Sequence, residues 1–101
     1  MERAQLEFSE GFNVLVDNGR AQAAVMTLAA GTSIGGPENQ HEGSDQWLYV
    51  VAGSGTAIVA GEEHELETGT LLLIERGETH EIRNTDDRPL ETLNVYVPPA
   101  Y

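Results

Sequence analysis

Glycine recurs along this chain at short intervals: Gly11, Gly19, Gly31, Gly35, Gly36, Gly43, Gly53, Gly55, Gly61, Gly69 and Gly77. Between these breaks lie short runs rich in Val, Ile, Leu, Tyr and Thr. A helix needs apolar positions every three to four residues over roughly eleven residues or more, and no segment supplies them. Short β-rich runs separated by turn residues are the pattern of an all-β sandwich or barrel. The runs predict strands at residues 12–16, 22–29, 46–51, 55–60, 63–67, 70–74, 79–84 and 90–97. Asp17-Asn18-Gly19 and Ala60-Gly61-Glu62 read as tight turns between such strands. Asn84 to Pro89 is a polar loop, and residues 35–45 also read as a loop.

The chain has 101 residues, of which 40% are hydrophobic, enough for one core and no second domain. Residues 1–10 are polar and are expected to form an N-terminal arm or an edge strand, with residues 11–101 as one barrel domain.

Composition removes several chemistries. Seventeen acidic residues against five basic ones give a net charge of −12 with His neutral. Such a surface repels phosphate backbones and anionic membranes, so neither nucleic acid nor membrane is an expected partner. All five basic residues are Arg, which excludes lysine Schiff bases and a P-loop. No Cys is present, so thiol nucleophiles, disulfides and Cys-ligated metals are excluded. A cysteine-free chain that opens Met-Glu-Arg-Ala-Gln-Leu-Glu, without an apolar leader, is expected in the cytoplasm.

The stretch from Gln46 to Val51 is apolar on both faces. Alternation puts Gln46, Leu48 and Val50 on one side and Trp47, Tyr49 and Val51 on the other. A barrel interior covers only the first set. The second set favours a homodimer, because an exposed Trp and Tyr each offer roughly 150–250 Å² for burial.

The three histidines are His41, His64 and His80. His64, within Glu62-Glu63-His64-Glu65, reads as a solvated strand residue. His41 and His80 lie beside turns at the entrances of two strands and can share a site only if those strands are neighbours.

Residues 69–84 resemble the second motif of the cupin superfamily, in which Gly, Pro-x-Gly, His and Asn recur at set spacings. Gly69, Gly77, His80 and Asn84 occupy those positions, and Glu75 stands where the motif has Pro. The first cupin motif is matched in part. Gly53 ends it, Gln46 takes its glutamate position, His41 and Asn39 take its two histidine positions, and Ser33 takes its initial glycine.

The resemblance implies an all-β, cupin-type double-stranded β-helix, a jelly-roll barrel of short antiparallel strands. It also implies a divalent-metal site at Asn39, His41, Gln46 and His80. The two imidazoles suit Fe, Mn, Ni, Zn or Cu. Gln46 in place of Glu removes the anion that offsets the metal's charge. Asp45 or Glu42 could replace it only by a rotation of the loop. Two functions follow from the resemblance: a metal-dependent enzyme, such as a dioxygenase or isomerase, acting on a small molecule, or a non-catalytic module that binds or senses a small ligand with a weak or absent metal.

Overall fold

The computed structural model describes the backbone of residues 1–101 and the side chains of residues 1–36 and 41–101. Among these, the chain forms nine strands and no helix: β1 (Gly11–Asp17), β2 (Gln22–Leu28), β3 (Ser33–Gln40), β4 (Asp45–Ala52), β5 (Gly55–Val59), β6 (Glu62–Leu66), β7 (Leu71–Ile74), β8 (Thr79–Arg83) and β9 (Leu90–Val97). They pair antiparallel in two sheets, ordered β1-β2-β9-β4-β7 and β3-β8-β5-β6. The all-β reading is correct. No helix is long and apolar enough to cross a membrane.

Residue alternation builds the core between the sheets. In β4, Gln46, Leu48 and Val50 are buried, while Trp47 and Tyr49 are exposed. In β9, Leu90, Thr92, Asn94 and Tyr96 face inward and are buried. Met26, Leu28, Leu48, Val50, Ala57, Val59, Leu66, Ile74, Ile82 and Leu90 form one apolar cluster. The cluster leaves one end of the interior to polar and aromatic groups, and the candidate site lies there.

The turn from β1 to β2 has the expected chemistry. Asp17 accepts the Gly19 N–H, and Asn18 accepts the N–H groups of Arg20 and Ala21 through its side-chain oxygen. Between β5 and β6, Val59 pairs with Glu62, so Ala60 and Gly61 form a two-residue loop. Both have positive φ, 50° and 82°, the condition of a twist-matched hairpin turn.

One expectation needs correction. Residues 35–45 are not a loop throughout, because β3 runs from Ser33 to Gln40. Gly35, Gly36 and Pro37 have weak strand propensity, so the run lacks the local signal. Pairing with β8 makes the strand, from Ser33 opposite Arg83 to Gln40 opposite Thr79, with a register shift between Gly36 and Gln40.

Two glycines owe their identity to packing. A Cβ on Gly53 would lie 2.5 Å from the Pro89 carbonyl oxygen, and one on Gly55 would collide with the Arg83 carbonyl. Asn84, the last residue of the second motif, ties the neighbouring loop together. Its Nδ2 donates to the Leu28 and Arg88 carbonyls, and its Oδ1 accepts the Asp86 N–H.

Candidate functional site

Antiparallel pairing of β3 with β8 brings the two expected histidines together. His41 follows β3, and its carbonyl accepts the Gly77 N–H from the turn that leads into β8. His80 lies on β8, directed inward and only 5% exposed. The two imidazole centroids are 5.2 Å apart. Gln46, 4% exposed, comes from the opposite sheet and lines the same small cavity of about 30 Å³. Three of the four expected ligands therefore share one site. The fourth, the Asn39 side chain, lies outside the described residues.

Gln46 belongs to a polar chain that crosses the inner face of the first sheet. The Thr92 hydroxyl donates to the Met26 carbonyl at 3.4 Å and accepts from Asn94 Nδ2 at 2.9 Å. That orients the Asn94 amide, whose Oδ1 accepts from Gln46 Nε2 at 3.0 Å. The Gln46 carbonyl oxygen is left buried without a partner. Buried acceptors are nearly always satisfied, so this oxygen is an acceptor held ready for whatever enters the cavity.

Both histidines are held neutral. Burial lowers the pKa of His80, and a hydrogen bond with the Glu78 carbonyl, 3.4 Å from Nδ1, partly opposes that. Because a carbonyl only accepts, His80 carries its proton on Nδ1 and keeps the Nε2 lone pair. Burial also lowers the His41 pKa, and the neighbouring His80 lowers it further. A neutral imidazole with a free lone pair is a ready metal ligand or hydrogen-bond acceptor.

Sequence reasoning missed the aromatic wall. Tyr96 (2% exposed) and Tyr101 line the cavity with Phe12. The Tyr101 hydroxyl lies 3.2 Å from His41 Nε2. Burial raises the pKa of both phenols, so each keeps its proton. Tyr101 is held in place by Gln22, which is also buried. Gln22 Nε2 donates to the Tyr101 carbonyl at 2.7 Å, and its Oε1 accepts the Tyr101 N–H at 3.1 Å. A signal for part of this existed. Thr92 and Asn94 are polar residues on the inward side of an otherwise apolar alternation, which marks them for a buried polar role.

Asp45, one of the acidic substitutes for the missing carboxylate, is engaged outside the cavity. Asp45 binds Arg76, accepting its backbone N–H at 2.9 Å and forming an ion pair at 3.3 Å. That hydrogen bonding holds the Asp45 carboxyl below its usual range. Glu42 is exposed. His64 lies on β6 and is exposed, as expected of a solvated residue. Among the described residues, no three His, Asp, Glu or Cys side chains gather as around a metal.

A family model described as a cupin domain matches residues 24–96, a span that contains His41, Gln46 and His80. The chain belongs to the cupin family. Among curated proteins, this cupin is similar to the tetracenomycin polyketide synthase protein TcmJ of Streptomyces glaucescens, with 40% identity over 62 residues, 61% of this chain and 40% of that one. It is also similar to an oxalate-binding protein of Thermotoga maritima, with 32% identity over 74 residues, 73% of this chain and 60% of that one. The cupin therefore spans about half the length of the curated relatives it matches. A crystal structure of a Bacillus halodurans protein superposes with a TM-score of 0.86 at 28% identity, covering 91% of this chain and 73% of the other.

Proposed function

We propose that this cupin binds a small organic molecule in the cavity between its sheets, with His41 and His80 holding a divalent transition metal there. The observation that carries this reading is the convergence of two neutral imidazoles and the unpartnered Gln46 oxygen on one cavity. Two nitrogen donors and one amide oxygen fit Fe, Mn, Ni, Zn or Cu, all of which accept imidazole. The donor set is uncharged, so a bound ion keeps its full +2 charge. When bound, such an ion supplies Lewis acidity to an oxygen of the ligand or to water. The protein contributes position: Glu78 orients His80, and Asn94 orients Gln46.

Elemental analysis of the untagged protein and of His80→Ala tests the reading. Near one equivalent of a transition metal in the parent, lost in the variant, is the expected result. No metal, before or after anaerobic reconstitution, overturns the metal half. The second reading is then favoured, a metal-free module in which the imidazoles bind the ligand as hydrogen-bond acceptors. Its specific support is the Tyr101 hydroxyl, already hydrogen-bonded to His41 Nε2. Loss of substrate in the presence of metal separates an enzyme from a binding module.

The similarity to an oxalate-binding protein and to a polyketide synthase protein supports small-molecule recognition. We further propose that residues 1–10 act as an arm on a barrel unit of residues 11–101, and that the cysteine-free protein works in the cytoplasm. The outer face of the first sheet is assigned to a second copy of the chain. Trp47 pairs across strands with Leu73 and Val95, and Tyr49 with Leu71 and Leu93, so these six side chains form one apolar surface.

A further inference from the structure

We propose that the ligand of this cavity is a hydroxyaromatic ring, and that Tyr101 of the chain itself occupies the place such a ring takes. The inference rests on the cavity being the small-molecule site.

The Tyr101 ring is bound as a ligand would be bound. Its centroid lies 4.7 Å from Phe12, 5.1 Å from Tyr96 and 5.4 Å from His41. It meets Tyr96 and His41 edge-on, at 76° and 78°, a favourable arrangement for aromatic pairs. Its hydroxyl is hydrogen-bonded to His41 Nε2 at 3.2 Å. Yet Tyr101 is 63% exposed, so it lies over the opening rather than within the core. One side chain, Gln22, clamps its backbone, at roughly 1 kcal/mol for each hydrogen bond. The clamp is weak enough to be displaced.

The cavity requires that displacement. About 30 Å³ admits a water or an ion and no organic molecule. With the Tyr101 ring swung out, the opened space is walled by the Phe12 and Tyr96 rings and by Met26, Ile34 and Ile82. With no metal bound, the wall presents two acceptors, His80 Nε2 and the unpartnered Gln46 oxygen, with His41 Nε2 beside them. That favours a ring carrying O–H donors. Among the described residues no arginine lines the cavity, and the chain has no lysine, so no side chain in the wall offers a cation to a carboxylate or phosphate.

The test uses 4-methylphenol, the side-chain analogue of tyrosine, and 4-methylcyclohexanol, which keeps the hydroxyl and loses aromaticity. Both are titrated calorimetrically into the full chain, Tyr101→Phe and Tyr101→Ala, with metal content measured on each preparation. A tethered competitor acts at an effective concentration on the order of millimolar. Tyr101→Ala is therefore expected to bind 4-methylphenol at least about tenfold more tightly than the parent, with Tyr101→Phe between them. It is also expected to prefer 4-methylphenol over 4-methylcyclohexanol by about tenfold. No saturable binding of 4-methylphenol to Tyr101→Ala, equal binding of the two probes, or no gain over the parent overturns the proposal. The two readings fail separately. Metal uptake without binding of 4-methylphenol leaves the metal site and removes the ring, whereas ring binding in a protein that takes up no metal does the reverse.

Discussion

The amide of Gln46 shows how a single residue's role is set by its neighbours. Its nitrogen is committed to Asn94, and only its oxygen faces the site unpaired. An apolar side chain there would strand Asn94 Oδ1, and a carboxylate would force the Asn94 amide to turn over. The histidines carry a pH signature of the metal-free protein. His41 and His80 have folded pKa values below the ordinary 6.5, from burial first. The unfolded chain therefore binds more protons in this range, and stability falls as pH drops from 6.5 through the folded values. Above about pH 6.5 the contribution is complete. Denaturant midpoints between pH 7.5 and 5 are expected to show this loss, and His80→Gln, which does not titrate there, is expected to flatten it. An equal slope in the variant would place the loss elsewhere.

Among the elements, the strands with their own signal were the legible ones. The alternation in β4 and β9 and the turns at Asp17-Asn18-Gly19 and Ala60-Gly61 appear where the residues predict them, with ends shifted by a residue or two, as fraying ends allow. Strand β3 was not legible, because its Gly-Gly-Pro run depends on β8 for its pairing. Two substitutions test how backbone conformation and packing divide the work around β5. Ala60 is exposed and has φ 50°, which costs an L-residue roughly 1–2 kcal/mol. Ala60→Asn is expected to raise stability by about 0.5–1 kcal/mol, since Asn-Gly suits this turn. Gly55→Ala is expected to lower it by about 1–3 kcal/mol or more, because the new methyl meets the Arg83 carbonyl. Urea titration of both variants checks the pair, and similar midpoints would refute both assignments.

At the scale of the molecule, the inward and outward faces of the first sheet have different tasks. The inner face holds the core and the polar chain that ends at the site. On the outer face, Trp47 and Tyr49 are each 41% exposed, and Leu71 reaches 60%. A dimer interface of ordinary size buries about 800 Å² on each partner, and under the proposed dimer this face would supply its apolar centre. Sedimentation at tens of micromolar is expected to give a dimer for the parent and a monomer for Trp47→Glu with Leu71→Glu. A monomeric parent would overturn the assignment of this face to a second copy. The net charge of −12 opposes that association, so the dimer is expected to tighten with added salt.

The amino-acid sequence alone determined the all-β class and the alternation of faces, and its resemblance to the cupin motifs named Asn39, His41, Gln46 and His80 as candidate ligands. These rest on local pattern: turn residues, period-two hydrophobicity and motif spacing act over a few residues and are visible there. Tertiary structure decided the rest. Whether His41 and His80 meet depends on β3 pairing with β8, and the orientation of Gln46 depends on Asn94 from a strand 48 residues away. Tyr101 reaches His41 across 60 residues, under the hold of Gln22. Contacts between residues so distant in the chain arise only when the sheets close, and no local pattern encodes them.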